Sequence, residues 1–242
     1  MEARYAVYYA PPAHSDLWRL GCHWLGRDPE RDEALEQPPV PGRARSRIEA
    51  LTASPRAYGF HATLKPPFRL RAEARTADLH EALRILARSQ RAFALPPLRV
   101  ARLGGFLALT PAVDSERLGQ FADAWVTGLD ALRCPPEEDE LRRRRAAGLT
   151  ARQDALLSRW GYPYVFDEFR FHLTLTERLG TDEGVALQDW LTAWFTPALS
   201  QTLSVEEVSL YVQGSPGQAF RLMRRYPLGI CTVPDSTPPS SM

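Results

Sequence analysis

Two short stretches of this chain carry the residue types that phosphoester chemistry needs. One is "HATL" at residues 61–64 and the other is "HLTL" at residues 172–175, each preceded by a phenylalanine. Imidazole titrates near neutrality, with an ordinary pKa of about 6.5, so a histidine can serve as base or acid at neutral pH. Two histidines can divide a hydrolysis: one takes a proton from the attacking water, the other protonates the departing alkoxide. Threonine hydroxyls beside them can donate to the non-bridging phosphate oxygens. His61 and His172 are therefore the candidate acid/base pair, and Thr63 and Thr174 the candidate phosphate ligands. A single H-x-T is a weak signal. Its weight comes from the repetition, with the second copy about half a chain after the first.

Positioning such a pair requires a particular element. In a β-strand, residues two apart share a face, so His61 and Thr63 point one way while Phe60, Ala62 and Leu64 point the other. His172 and Thr174 behave alike opposite Phe171, Leu173 and Leu175. Each strand thus has an apolar face for a core and a His/Thr face for something else. The same alternation extends the candidate contacts to Lys65 and Arg170, which would neutralise phosphate charge, and to Tyr211 near the end of the chain. Tyr58, Tyr162 and Tyr164 precede the two strands and stand either as cleft walls or as packing aromatics.

The surrounding pattern supplies two similar sets of elements. A strand at 4–10 is closed by Pro11 and Pro12, a helix spans about 14–26 with Ser15 as cap, and the first His/Thr strand ends at Pro66-Pro67. An amphipathic helix at 76–90 has Thr76 as its cap and a Leu79, Leu83, Leu86 stripe. A hairpin near 97–110 turns at Gly104-Gly105, and a helix at 114–132 follows. Thr150 caps a helix ending near Trp160. After the second His/Thr strand come a helix at 182–195 and strands near 203–213 and 218–226. The expected fold is α+β: two pseudo-symmetric, intertwined lobes, each an antiparallel sheet with helices outside, and the cleft between them. Residues 1–230 read as one bilobal domain, and the Pro/Ser/Thr-rich tail 231–242 as disordered.

Bulk properties narrow the partners. The 242 residues carry a net charge of +1, so no whole-molecule field draws the chain onto nucleic acid, and anion binding must be local. The run "EEDELRRRR" holds four consecutive arginines, but acids precede them at helical spacing, which reads as a solvated, self-paired helix. Three scattered cysteines suggest neither a disulfide framework nor a zinc knuckle and fit a cytoplasmic location. No metal-ligand motif accompanies the histidines, so no cofactor is expected. No stretch is apolar enough for a membrane span, and the N-terminus does not read as a signal peptide.

These motifs resemble the 2H phosphoesterase superfamily, which includes the bacterial 2′-5′ RNA ligase/cyclic phosphodiesterases. "YGFHATLKPPF" and "WGYPYVFDEFRFHLTL" resemble one branch in particular, a bacterial group encoded beside phosphonate-degradation genes. The resemblance runs from the first strand to the final hairpin. It implies a metal-independent phosphodiesterase that opens a cyclic phosphate to a monoester, with His61 and His172 as the acid/base pair, in either order, and Thr63 and Thr174 on the phosphate. It also implies a small sugar or nucleotide cyclic phosphate as substrate. The alternatives are RNA end processing or 2′-5′ ligation, and a nucleotide-binding module without turnover. Near-neutral charge and the lack of a basic–aromatic stripe weigh against RNA.

Overall fold

A computed structural model describes residues 3–146 and 148–229. The first strand, β1 (Arg4–Tyr9), leads to helix α1 (Asp16–Leu25) and a small ribbon of β2 (Arg27–Asp28) and β3 (Glu33–Ala34). Helices α2 (Arg45–Leu51) and α3 (Ala53–Tyr58) then deliver the chain to β4 (Ala62–Phe68) and α4 (Thr76–Ser89). After β5 (Phe93–Ala94) come the hairpin strands β6 (Leu98–Leu103) and β7 (Phe106–Pro111), followed by α5 (Glu116–Gly128), α6 (Glu138–Arg145) and α7 (Ala151–Trp160). The chain continues through β8 (Leu173–Thr174), α8 (Thr181–Leu199), β9 (Ser204–Val205) and the hairpin β10 (Glu207–Gln213) with β11 (Arg221–Pro227).

Helix starts follow capping chemistry. Ser15 accepts the Trp18 amide at 3.1 Å and Thr150 that of Gln153 at 3.1 Å, so both satisfy an otherwise unpaired first-turn donor. At α4 the expectation fails. The cap position is Arg75, whose amide donates to Asp78 at 2.8 Å, while Thr76 Oγ1 is engaged with the Tyr5 hydroxyl at 3.0 Å.

The large sheet has the order β11-β10-β1-β4-β8-β7-β6, and every neighbouring pair is antiparallel. The fold is thus α+β, and its halves exchange their hairpins. The β10–β11 hairpin from the C-terminal half pairs with β1, which in turn pairs with β4, whereas β6–β7 from the first half pairs with β8. The two half-sheets are continuous with one another. They join where Ala62 of β4 registers with Leu173 of β8, so the two His/Thr strands are immediate neighbours.

Packing keeps the apolar faces of these strands inward. Phe60, Ala62, Leu64, Leu173 and Leu175 are all at most 2% exposed. Phe60 stacks on Phe195 of α8 at 6.1 Å and lies against Gly21 of α1, where any larger side chain would collide with its ring. Trp24 of α1 donates its indole N–H to the Leu175 carbonyl at 2.8 Å, binding that helix to the second His/Thr strand. Elsewhere α8 covers β6 and β7, α5 covers β4, and α4 covers β11. Among the described residues, no helix is long and apolar enough to cross a membrane. The tail expected to be disordered, 231–242, lies outside the described residues.

Candidate active site

The β4–β8 register creates the site. With Ala62 opposite Leu173, His61 falls opposite Thr174 and Thr63 opposite His172, and all four side chains share one face. Directly opposed residues have Cβ atoms about 5 Å apart and diagonal ones about 7–8 Å. The histidines occupy one diagonal of this square and the threonines the other, which leaves space between the imidazoles for a small anion. All four line a cleft of about 740 Å³.

Both imidazoles are held in the same way. His61 Nδ1 donates to the Gly59 carbonyl at 2.9 Å and His172 Nδ1 to the Arg170 carbonyl at 2.7 Å. A carbonyl only accepts, so Nδ1 carries the proton and the neutral ring presents a bare Nε2. At His61 that nitrogen accepts from the Thr63 hydroxyl at 3.1 Å. The Gly59 carbonyl is aimed by a backbone with φ of 82° and ψ of 175°, a conformation that suits glycine.

Burial sets the charge state. It pulls the His61 pKa from 6.5 down to about 4, against the Gly59 bond and with a small further push from His172. Burial also lowers the His172 pKa, against the Arg170 bond. Both imidazoles are therefore neutral at pH 7, and a bound anion would restore the protonated form of one.

The walls were largely unread in sequence. Tyr8 of β1 stacks on the His61 ring at 3.7 Å and 21°, placed there because Tyr8 registers with Thr63. Phe106 of β7 lies 5.7 Å from the His172 ring. Tyr58 and Tyr162 line the cleft, resolving their open choice in favour of walls, whereas Tyr164 borders a second hollow beside it. Positive charge comes from Arg4, Arg144 and Arg178.

Two expected contacts, Lys65 and Tyr211, need correction, and a third, Arg170, sits beside the cleft. Lys65 does not share the His61/Thr63 face. Tyr8 registers with Thr63 but Val7 with Lys65, so Leu64 is an extra residue, a bulge that reverses the alternation. Lys65 is 2% exposed, and its Nζ donates to the Val126 carbonyl at 2.9 Å instead of reaching the cleft. Arg170 is exposed and lines the second hollow together with Thr63 and His172, while its carbonyl holds the His172 ring. Tyr211 lies on the correct face of β10 but is fully buried, 4.9 Å from the Tyr8 ring and behind Gly59.

The four-arginine run is also only partly as expected. Arg142 pairs with Asp139, Arg144 with Glu140 at 2.9 Å and Arg145 with Asp154 at 2.6 Å. Arg144 nevertheless turns to the cleft, its guanidinium 5.1 Å from the centre of the Tyr162 ring. Among the described residues, no three or more His, Cys, Asp or Glu side chains converge as a metal site.

Comparisons with known proteins bear on this geometry. A family model described as "Protein of unknown function (DUF1045)" matches residues 63–221, well over half of the chain. Two curated relatives carry the name "Ribose 1,5-bisphosphate phosphokinase PhnN". The one from Janthinobacterium sp. (strain Marseille) is 39% identical over 93% of this chain and 50% of its own length. The one from Laribacter hongkongensis (strain HLHK9) is 43% identical over 91% of this chain and 51% of its own length. The chain thus spans about half the length of the curated relatives it matches. Among solved structures, E. coli LigT complexed with NADP+ aligns at a TM-score of 0.41 and 18% identity, covering 94% of this chain and 98% of that one. A protein described as a phosphoesterase aligns at 0.40 and 15%, covering 93% and 98%. Likeness at those scores carries no argument about this chain.

Proposed function

The chain belongs to the DUF1045 family, and from that premise we propose that it is a phosphodiesterase hydrolysing a small cyclic phosphate to a phosphomonoester by two-histidine acid/base catalysis. The observation that carries this reading is the diagonal square of His61, Thr63, His172 and Thr174 with both Nε2 atoms free of backbone partners. Binding alone needs no second titratable group. Hydrolysis does.

In the proposed reaction a cyclic diester sits between the rings and its charge keeps one imidazole protonated. The neutral histidine takes a proton from water as the oxygen attacks phosphorus. The P–O bond to one sugar oxygen breaks, and the imidazolium donates its Nε2 proton to that alkoxide. Water and cyclic diester become a monoester, and the two histidines exchange protonation states until solvent resets them. Thr63 and Thr174 donate to the non-bridging oxygens, where charge builds. Two protein donors of this kind are each worth about 10²-fold or more in rate.

The relatives' kinase name does not suit these residues. Phosphate transfer from a nucleotide on a P-loop needs G-x-x-x-x-G-K-[ST], which this sequence lacks, and its one lysine is the buried Lys65. The ribose bisphosphate in that name does suit a small phosphorylated sugar, in keeping with the phosphonate context implied by the sequence resemblance. The test is turnover, with a chelator present, of a panel: ribose cyclic phosphates, nucleoside 2′,3′-cyclic phosphates, and oligonucleotides with cyclic ends. The expected result is hydrolysis of a sugar cyclic phosphate with a kcat/KM above that for any oligonucleotide. Turnover confined to oligonucleotides would favour RNA end processing, and tight binding without any turnover would favour a nucleotide-binding module.

A further inference from the structure

We propose that the substrate carries a second anionic group, a phosphomonoester, held in an arginine-lined hollow beside the histidine cleft. This deepens the cyclic phosphodiesterase reading and takes its orientation from it. The hollow measures about 500 Å³ and is lined by Arg4, Arg69, Arg133, Arg143 and Arg144, against one lining carboxylate, Glu140. The chain as a whole is nearly neutral, so this concentration of guanidinium groups is local.

Three of the five are compensated. Arg69 pairs with Glu137 at 2.9 Å, Arg133 with Asp130 at 2.8 Å and Arg144 with Glu140 at 2.9 Å. Among the described residues, Arg4 and Arg143 meet no carboxylate. Arg4 is nonetheless held in place: its Nε donates to Gln213 at 2.7 Å and its guanidinium lies over the Phe220 ring. An oriented guanidinium without a counter-charge suits the planar, two-pronged recognition of a phosphate.

Position gives the hollow its meaning. Arg4, Pro67 and Arg144 line both it and the cleft that contains His61 and His172. A molecule whose cyclic phosphate lies between the imidazoles has its remaining atoms beside those three residues, and a second phosphate on it enters the arginine hollow. The substrate class is therefore a phosphorylated sugar cyclic phosphate. The second phosphate is a handle and takes no part in bond breaking. The run of four arginines gains a use: α6 contributes Arg143 and Arg144, while its other charges stay paired along the helix.

Two readouts test this, one of which needs no turnover. Calorimetric titration with ribose 5-phosphate is expected to show binding that Arg143→Gln weakens about tenfold or more and Arg143→Lys weakens less, the scale of one charge-assisted hydrogen bond. Kinetically, a ribose cyclic phosphate bearing a 5-phosphate should have a kcat/KM at least about tenfold above its unphosphorylated counterpart. Arg143→Gln should remove most of that preference through KM. Equal kcat/KM for the two compounds, or ribose 5-phosphate binding that is indifferent to Arg143→Gln, would overturn the subsite while leaving the phosphodiesterase reading intact. Calorimetry that succeeds while neither compound is hydrolysed would support the subsite and count against the catalytic reading alone.

Discussion

At the scale of the residue, the pattern H-x-T does two jobs. It places hydroxyl and imidazole on one face, and it puts the carbonyl two residues upstream within reach of Nδ1. Gly59 and Arg170 supply those carbonyls, so each ring shows Nε2 to the cleft. Burial then opposes the charged form, most strongly at His61, whose folded pKa is about 4 against 6.5. The sign for stability follows. Between those values the unfolded chain binds the proton and the folded chain does not, so stability falls as pH drops from 6.5 towards 4 and is fully present above 6.5. Proton NMR of the ligand-free protein is expected to show His61 titrating well below 6.5, and saturating inorganic phosphate should move it upward. A free-state pKa at or above 6.5 would contradict the desolvated, neutral pair.

The chemistry of this square was legible because its parts are side chains of fixed type at strand spacing. Lys65 was not legible, for a reason that belongs to the next scale. Strand alternation assigns it to the His/Thr face, but the bulge at Leu64 is imposed by how β1 registers against β4, which no local pattern in β4 declares. Tyr8 was missed for the same reason: its place on the His61 ring depends on a strand fifty residues earlier in the chain.

At the scale of the element, the bulge converts a supposed ligand into a clamp. The last carbonyls of a helix lack partners within it, and Val126 stands in the last turn of α5. Lys65 Nζ fills that need with a positive charge at the negative end of the helix dipole. Burial lowers its pKa from 10.5 to about 8. Below 8 both folded and unfolded chains carry the charge, and between 8 and 10.5 only the unfolded chain does, so this group's contribution rises with pH in that window. Lys65→Met is expected to cost about 1–3 kcal/mol by orphaning the Val126 carbonyl, with kcat/KM for substrate preserved. Chemical denaturation alongside kinetics checks both. Unchanged stability with a lost kcat/KM would return Lys65 to the site.

Helices are the most readable elements, since α1 and α7 begin at their serine and threonine caps and α4 has a clear apolar stripe. The four-arginine helix illustrates the limit. Its internal pairing is visible as spacing, but the turn of Arg144 towards Tyr162 depends on where α6 docks, which spacing does not contain.

At the scale of the molecule, the sequence repetition predicts two intertwined halves, and the structure joins them in one antiparallel sheet with exchanged hairpins. The exchange makes the site dependent on long-range order. The His61 strand is held between β1 and β8, and the His172 strand between β4 and β7, so neither half can present its motif correctly without the other. Such an arrangement fits a reaction in which two titratable groups must act together on one phosphate.

That joint action is the central claim, and hydrolysis of a sugar cyclic phosphate by His61→Ala, His172→Ala and the double variant tests it most directly. Groups that act as a unit are grossly non-additive. Each single variant is expected to lose about 10²–10⁴-fold in kcat, with the double variant scarcely worse than the poorer single and all three folded by circular dichroism. Either single variant turning over within about tenfold of the unmodified protein, or losses that multiply in the double variant, would contradict it.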